Sequence, residues 1–486
     1  MWFEGIDIFR LMVGTGAIVI SLLSSYHIIT TKDDVRAAIG WVGLVWLVPY
    51  VGGTLYFILG INRIRRKAVR VRREKLALPE RQAIKLLQQS ADRLPSNLPI
   101  AYRSHEGLME RVTQKPLTDG NHIQSLLGGH AAYGEMLSAI GAAKKSIALA
   151  TYIFSMDDVG RSFVSALGEA QKRGVRVCVL IDGIGELYHF PFASRALRKL
   201  GVKVAHFNRT ITPWRMGFMN LRNHRKILVV DGGTGFTGGM NIRGHHAAPN
   251  DQKRAINDIH FKLEGPVVSH LMDAFADDWT YVTGDLLEGS DWFPDITVHG
   301  DSKNYAIARG IPDGPDADMD KMNWAIRSAL AMAQKSILIM TPYFLPDRLL
   351  VAGINHSALR GVEVTVILPE KNNLPMVSWA AQAQYARLLN SGCKIYHSPP
   401  PFDHSKILVV DSFWLLFGST NWDSRSLRLN FEFNVECYDR RLAKELIAHT
   451  NRLKEMAEPI TIEKVQSRGL FHRLLFGLAW LFSPYL

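Results

Sequence analysis

His224-Arg-Lys-Ile-Leu-Val-Val-Asp231 leads on to Gly238, Gly239 and Asn241, and the same arrangement returns as His404-Ser-Lys-Ile-Leu-Val-Val-Asp411 with Gly418, Ser419 and Asn421. Every matched position of the second copy lies 180 residues after the first. A single H-x-K-x4-D arises readily by chance in a long chain, but two copies with Gly and Asn at the same distance do not. The shared Ile-Leu-Val-Val is a short β-branched run that reads as a buried strand. His and Lys two residues apart then point to one side. Asp231-Gly-Gly and Asp411-Ser supply turns, and a returning strand carries Asn241 or Asn421. Each copy thus offers an imidazole, an ammonium and a carboxamide, and two copies face to face offer two of each.

Such a set suits attack on a phosphodiester. Cationic and amide donors screen the anionic substrate. One His can attack phosphorus, and the other can protonate the leaving oxygen and then deprotonate the acceptor. This chemistry requires no metal and no cofactor.

The rest of the chain repeats as well. Lys145-Ser-Ile-Ala-Leu-Ala-Thr is echoed by Lys335-Ser-Ile-Leu-Ile-Met-Thr, and Arg173-Gly-Val-Arg-Val-Cys-Val by Arg360-Gly-Val-Glu-Val-Thr-Val. Helices alternating with strands predict an α/β fold of two halves, each a mixed sheet flanked by helices. The halves are expected over 119–283 and 319–458, with a Gly-, Pro- and Asp-rich connector at 284–318.

The chain of 486 residues is 47% hydrophobic, with net charge +12 and a pI near 9.5, so its partner is anionic, nucleic acid or acidic lipid. Three scattered cysteines, Cys178, Cys393 and Cys437, imply no disulfide framework. Leu11–Thr31 and Ala37–Asn62 contain no charged residue and are long enough to cross a bilayer. Joined by Lys32-Asp33-Asp34, they predict a transmembrane hairpin over 1–62. The basic run from Arg63 to Lys75 then places the residues after it on the cytoplasmic side. Residues 63–118 read as a basic juxtamembrane segment and linker. The loop containing Trp214, Arg215, Phe218 and Arg222 reads as a pocket lip. Leu470, Phe471, Leu474, Leu475, Leu478, Leu481 and Phe482 recur at helical spacing within 459–486 and predict an amphipathic helix that lies on a membrane or packs on the core. Gly183-Ile-Gly185 reads as a turn and His245-His246 as a plain loop.

The doubled motif resembles the HKD signature of the phospholipase D superfamily. With Asn421-Trp-Asp-Ser-Arg-Ser-Leu, Asn430-Phe-Glu432 and the closing Phe482-Ser-Pro-Tyr-Leu, nearly the whole chain resembles bacterial cardiolipin synthases of that superfamily. The resemblance implies transfer of a phosphatidyl group between two phosphatidylglycerol molecules, giving cardiolipin and glycerol through a phosphatidyl-histidine. It implies an active site between the halves with His224, Lys226, Asp231, His404, Lys406 and Asp411 as catalytic residues, although the two Asp, at strand ends before turns, also read as structural. It further implies Asn241, Asn421 and Ser419 on the substrate phosphate, and Asp258 and Glu432 orienting the histidines. Superfamily analogy favours His224 as nucleophile and His404 as acid/base. The expected setting is the bacterial inner membrane, multi-pass, with cytoplasmic catalytic halves, no nucleic acid and no obligatory protein partner. A phospholipase D-type hydrolase or another headgroup transferase would use the same residues. A nuclease of the superfamily fits the charge but not the hairpin, and a non-catalytic scaffold does not fit two intact motifs.

Overall fold

The computed structural model describes residues 2–32, 34–60, 99–208, 221–247, 255–296, 305–315 and 318–484. The basic run 63–75, the linker up to residue 98, Trp214, Arg215 and Phe218 lie outside them. The chain divides into two units, Met1–Ala68 and Val69–Leu486.

In the first unit, α1 (Trp2–Thr31) contains a 24-residue apolar stretch, Ile8–Thr31, of mean hydropathy 1.7, enough to cross a bilayer at about 1.5 Å per residue. It begins earlier than the uncharged run. The second expected helix is interrupted. α2 (Val35–Leu47) is capped by Asp34, whose Oδ1 accepts from Ala37 N at 2.9 Å, and it stops at Val48 (φ −138°, ψ 74°). Pro49 has no N–H to continue the ladder, and its ring pushes the preceding residue out of the helical region. α3 (Pro49–Leu55) and a π-helical turn, Tyr56–Gly60, complete the return. They pack on α1 through buried Ile28, Val45 and Tyr56, with Ser21 Oγ donating to Val45 O at 3.1 Å and His27 Nδ1 bonded to the Tyr56 hydroxyl at 2.7 Å.

The second unit opens with α4 (Ile100–Thr113), β1 (Thr118–Leu127), α5 (Gly128–Ala142), β2 (Ser146–Thr151), α6 (Asp158–Lys172) and β3 (Arg176–Asp182). It continues through α7 (Ala193–Lys199), β4 (Lys203–Phe207), β5 (Ile227–Val230), β6 (Thr234–Gly238), β7 (Ile256–Asn257), β8 (Ile259–Glu264) and α8 (Val268–Thr283). The repeat follows as β9 (Ala306–Asp313), α9 (Lys321–Met332), β10 (Ser336–Met340), α10 (Arg348–Leu359), β11 (Glu363–Pro369), α11 (Pro375–Gln382), α12 (Tyr385–Leu389) and β12 (Lys394–Ser398). It closes with β13 (Phe402–Asp403), β14 (Ile407–Val410), β15 (Trp414–Gly418), β16 (Glu432–Tyr438), α13 (Arg440–Met456), β17 (Glu458–Ile460), α14 (Ile462–Gln466) and α15 (Leu470–Leu481).

Fifteen strands form one sheet, ordered β4-β3-β2-β5-β6-β8-β1-β9-β16-β15-β14-β10-β11-β12-β17. Read outward from the central β1–β9 contact, the two sides repeat strand for strand, with β17 added at one edge. β2, β3 and β4 run parallel, β5 runs antiparallel to β2, and β10, β11, β12 and β14 do the same. The C-terminal ends of the parallel strands and the start of β5 or β14 therefore share one edge. Each half has its own apolar core between sheet and helices.

Two expectations about boundaries change. α4 lies in the stretch read as linker. Its Tyr102 and Met109 are buried in the core of the second half, and His105 Nε2 meets Glu436 Oε2 at 2.9 Å. β9 lies in the stretch read as connector. Its Arg309 breaks the apolar pattern of a strand but is fully buried, with Nε donating to Glu436 Oε1 at 2.6 Å. At the C-terminus α15 packs on α11 through Ala479, beside Leu345 and Ala380, with Phe476 also buried, and leaves Leu470, Phe471, Leu474, Leu478 and Leu481 exposed. It packs on the core with one face and leaves apolar side chains exposed on the other.

Asp231 and Asp411 stand at the far ends of β5 and β14, four strand residues beyond the motif Lys, or about 16 Å at ~3.3 Å per residue. Both have positive φ, 50° and 52°, in their turns. Asp231 accepts from the N–H groups of Lys144, Lys145 and Ser146 at 2.7–2.9 Å. Asp411 accepts from Gln334, Lys335 and Ser336 at 2.7–2.9 Å, and from the Tyr102 hydroxyl at 2.9 Å. Of the two readings of these residues, catalytic and structural, this placement favours the structural one. Each clamps the strand turn to the start of β2 or β10. Asp231→Ala is expected to cost about 2–4 kcal/mol of stability, for lost hydrogen bonds to a charged acceptor, while turnover per folded molecule changes less than about threefold. Thermal unfolding in detergent and assays on the folded fraction check this.

Candidate active site at the junction of the halves

β5 and β14 begin immediately after Lys226 and Lys406, so each motif His and Lys sits on that shared sheet edge. The chain before each strand crosses to the other half. His224 N donates to Phe431 O at 2.8 Å, and His404 N donates to Asn257 O at 2.7 Å. The residues after those carbonyls are Glu432 and Asp258, and their carboxylates close the two crossings. His224 Nδ1 lies 2.9 Å from Glu432 Oε2 and 3.0 Å from Oε1; His404 Nδ1 lies 2.9 Å from Asp258 Oδ2. Each histidine is thus held by the acid of the opposite half, with its Nε2 left for chemistry.

Burial lowers the pKa of both rings. For His224 the neighbouring Lys226 and Lys406 add to that, against Glu432; for His404 the effect is larger, with Lys406, Lys226 and His224 all opposing protonation. Burial likewise brings Lys226 down to about 7 and Lys406 to about 8, against the pull of the acids. Lys226 Nζ donates to His224 O at 2.6 Å; Lys406 Nζ donates to His404 O and lies 3.0 Å from His404 Nδ1.

The half-sites differ in their acids. Ser419, fully buried, donates to Glu432 Oε2 at 2.5 Å and accepts from Phe433 N at 3.0 Å. Burial alone would raise Glu432, but His224, Lys226 and Ser419 outweigh it and leave it below the usual range. Among the described residues Asp258 has no such hydroxyl, and burial raises it to about 6 against the charge of Lys406. Gly239 stands where the second copy has Ser419, and a Cβ there would overlap the Asp258 carboxylate. The shorter acid and the missing side chain are one fitted unit.

The residues expected at the substrate phosphate already have protein partners. Ser419 faces Glu432 rather than a substrate phosphate, because its hydroxyl is consumed by the carboxylate. Asn241 Oδ1 accepts from Ile153 N at 3.1 Å, and Asn421 Nδ2 donates to Ser426 Oγ at 3.2 Å while its Oδ1 is buried without a partner among the described residues.

Three aromatic neighbours were not legible in the motif. Tyr152 meets His224 edge-on at 5.4 Å between centroids, Tyr343 meets His404 at 6.2 Å, and His246 lies 6.3 Å from His404. His246, read as part of a plain loop, is buried in a short 3-10 turn, and its Nδ1 has no partner among the described residues. Burial lowers its pKa to about 3, with His404 and Lys406 adding to the effect. The two tyrosines follow the repeated strand β2/β10, which was the one available clue.

The family model for the cardiolipin synthase, PLD-like domain matches residues 136–279 and 326–454, more than half of the chain. The chain belongs to the cardiolipin synthase, PLD-like domain family. A phospholipase D-nuclease N-terminal model matches residues 19–60. Among curated relatives, cardiolipin synthase 1 of Bacillus anthracis is 30% identical over 471 residues, 95% of this chain and 91% of the relative. Cardiolipin synthase of Staphylococcus aureus strain N315 is 29% identical over 489 residues, 97% and 96% of the two chains. The phosphatidylserine synthase of Haemophilus influenzae superposes with a TM-score of 0.60 at 15% identity, covering 80% of this chain and all (100%) of that one, which shows a shared fold. The paired histidines of this PLD-like domain stand on a duplicated sheet whose halves exchange acids.

Gly239→Ser is expected to push Asp258 off His404 and lower turnover about 100-fold or more, as loss of a His-orienting acid does, with the melting temperature nearly unchanged. Steady-state kinetics beside a thermal melt measure both.

Proposed function

We propose that this protein is a cardiolipin synthase, transferring a phosphatidyl group from one phosphatidylglycerol to another. The single observation that carries this is the crossed pair of histidines, each held by the opposite half's acid, in a chain similar to curated cardiolipin synthases over nearly their full length. His224, Lys226, His404 and Lys406 are the proposed catalytic set, with Asp258 and Glu432 as positioning residues and the amide groups of Asn241 and Asn421 toward the phosphate.

His224 Nε2 attacks phosphorus, forming a P–N bond as the P–O bond to the headgroup glycerol breaks. His404 delivers a proton to that oxygen, and glycerol departs. A bound phosphodiester opposes the cationic neighbours that keep His404 unprotonated in the free site, so the substrate itself favours the proton-carrying form. His404 then takes the proton of a hydroxyl on the second phosphatidylglycerol. That oxygen attacks phosphorus, the P–N bond breaks, and cardiolipin leaves with His224 regenerated. The fully ionised, Ser419-supported Glu432 favours His224 as the nucleophile, because it stabilises the positive ring of the phospho-histidine. Lys226 and Lys406 offset charge on the non-bridging oxygens.

The proposed setting is the bacterial inner membrane, with 1–62 spanning it twice and the catalytic halves, over 119–283 and 319–458 with α4 added, in the cytoplasm. The apolar α1 and the basic run 63–75 support that reading. The substrate lipid is the proposed partner, with no nucleic acid.

Purified protein in phosphatidylglycerol vesicles, with products read by mass spectrometry, is expected to give cardiolipin and equimolar glycerol, lost in His404→Ala. Phosphatidic acid alone would show water as acceptor and a hydrolase instead.

The pH profile of kcat/KM reports the free enzyme. It is expected to fall on the acid side, below pH 6.5, as the nucleophile His224, lowered from that value, takes up a proton, and to fall again on the alkaline side as Lys226 (about 7) and then Lys406 (about 8) lose theirs. Lys226→Arg is expected to move the alkaline limb upward by about one pH unit, and a profile flat from pH 6.5 to 9 would contradict the assignment.

A further inference from the structure

Between β3 and α7 the chain holds three large apolar side chains out into solvent: Leu187 is 54%, Tyr188 62% and Phe190 79% exposed. The base of this loop is firmly built. Asp182 Oδ1 accepts from Ile184 N at 3.0 Å and Gly185 N at 2.9 Å, and its Oδ2 accepts from Asn223 N at 2.8 Å. Glu186, buried, accepts from Ser194 N at 3.1 Å and pairs with His206 Nε2 at 2.6 Å. Two buried carboxylates thus fix the base of a segment whose tip is apolar and wet. A contiguous apolar patch that the fold pins in the open marks an interaction surface.

The surroundings say which partner fits. Directly after the apolar tip, α7 presents Arg195, Arg198 and Lys199 around an open recess of about 360 Å³ that also touches Phe192 and Ser194. Arg198 is used at home, donating to Val204 O at 3.1 Å, but the side chains of Arg195 and Lys199 have no hydrogen-bond or ion-pair partner among the described residues. Apolar tips beside unpaired cations match the two layers of an anionic bilayer surface, acyl chains and phosphates. A soluble protein partner would not need that order. The position agrees: the loop leaves the C-terminal end of β3, on the sheet edge that carries the motif histidines, and Tyr188 lies 6.2 Å from Tyr152, which in turn meets His224.

We infer that residues 186–199 are a membrane-docking finger, whose Leu187 and Phe190 enter the acyl region of an anionic bilayer while Arg195 and Lys199 contact its headgroup phosphates, seating the His224 half-site against the lipid surface. This rests on the proposed lipid substrate, and docking can be read without turnover.

All three native cysteines are buried, so Phe190→Cys in the full chain takes an environment-sensitive fluorophore selectively. In vesicles of equal parts phosphatidylglycerol and phosphatidylcholine, replacing part of the latter with its chain-spin-labelled form is expected to quench the probe at least about twofold. Arg195→Gln with Lys199→Gln should weaken that quenching. A probe that stays in water would overturn the inference, whatever reaction the enzyme performs. Leu187→Ser with Phe190→Ser is expected to lose about tenfold or more on phosphatidylglycerol bilayers, yet stay within about twofold on a short-chain phosphatidylglycerol dispersed as monomers. Equal losses on both substrates would place the finger in the active site itself and sink the docking role.

Discussion

The exchange of acids between the halves is the contact on which the site depends. His224 is held by Glu432 and His404 by Asp258, and in both cases the preceding residue accepts the histidine's own backbone N–H. Backbone and side chain cross at the same point, so neither half contains a finished histidine–acid pair. The central β1–β9 contact supplies the register that brings β8 and β16 into place for this exchange. Arg225, fully buried between the motif histidine and lysine, adds to it by donating from Nε to Glu432 O at 3.0 Å and from Nη1 to Asp278 Oδ1 at 2.9 Å. A guanidinium buried with that many fixed acceptors resists small shifts between the halves, since leaving any of them unpaired in the interior is costly.

Duplication did not produce a symmetric site. Glutamate with a serine behind it and aspartate with a glycine behind it are two solutions to the same distance, and they differ electrostatically. Hydroxyl support and adjacent cations keep Glu432 ionised, whereas Asp258 titrates near 6 because burial dominates there. A carboxylate that stays ionised suits a ring that must become positive when it binds phosphorus. One that sits closer to protonation, beside the additional ring of His246, suits a histidine that only passes protons.

Most of this architecture is legible in the repeated stretch, because the β-branched Ile-Leu-Val-Val reads as a buried strand and its period puts His and Lys on one side. The failures have separate physical causes. β9 escapes because Arg309 interrupts its apolar pattern, and nothing local reveals that Glu436 lies beside it. α4 escapes for the same reason, its His105 being buried on that same glutamate. Hydropathy alone runs the second membrane helix straight through Pro49, although the missing N–H is visible in the sequence. Regular spacing draws Asp231 and Asp411 into the chemistry, yet the strand that makes the spacing regular also carries them away from the histidines. His246 escapes because a loop residue's neighbours are set by the fold rather than by spacing.

The site on its own is short of positive charge. Burial takes both histidines to neutrality and brings Lys226 and Lys406 to the edge of deprotonation at neutral pH, because four cationic groups cannot all keep their protons in so small a dry volume. Glu432 and Asp258 offset only part of that repulsion. A phosphodiester entering between them brings the missing negative charge, so its binding draws the lysine protons back and lifts His404 toward its proton-carrying form. Substrate binding and acid activation are then one electrostatic event. A neutral lipid would leave both lysines poorly charged and His404 without a proton to give. In the proposed mechanism a preference for an anionic diester follows from burying cations at this density, rather than from any one contact to the phosphate.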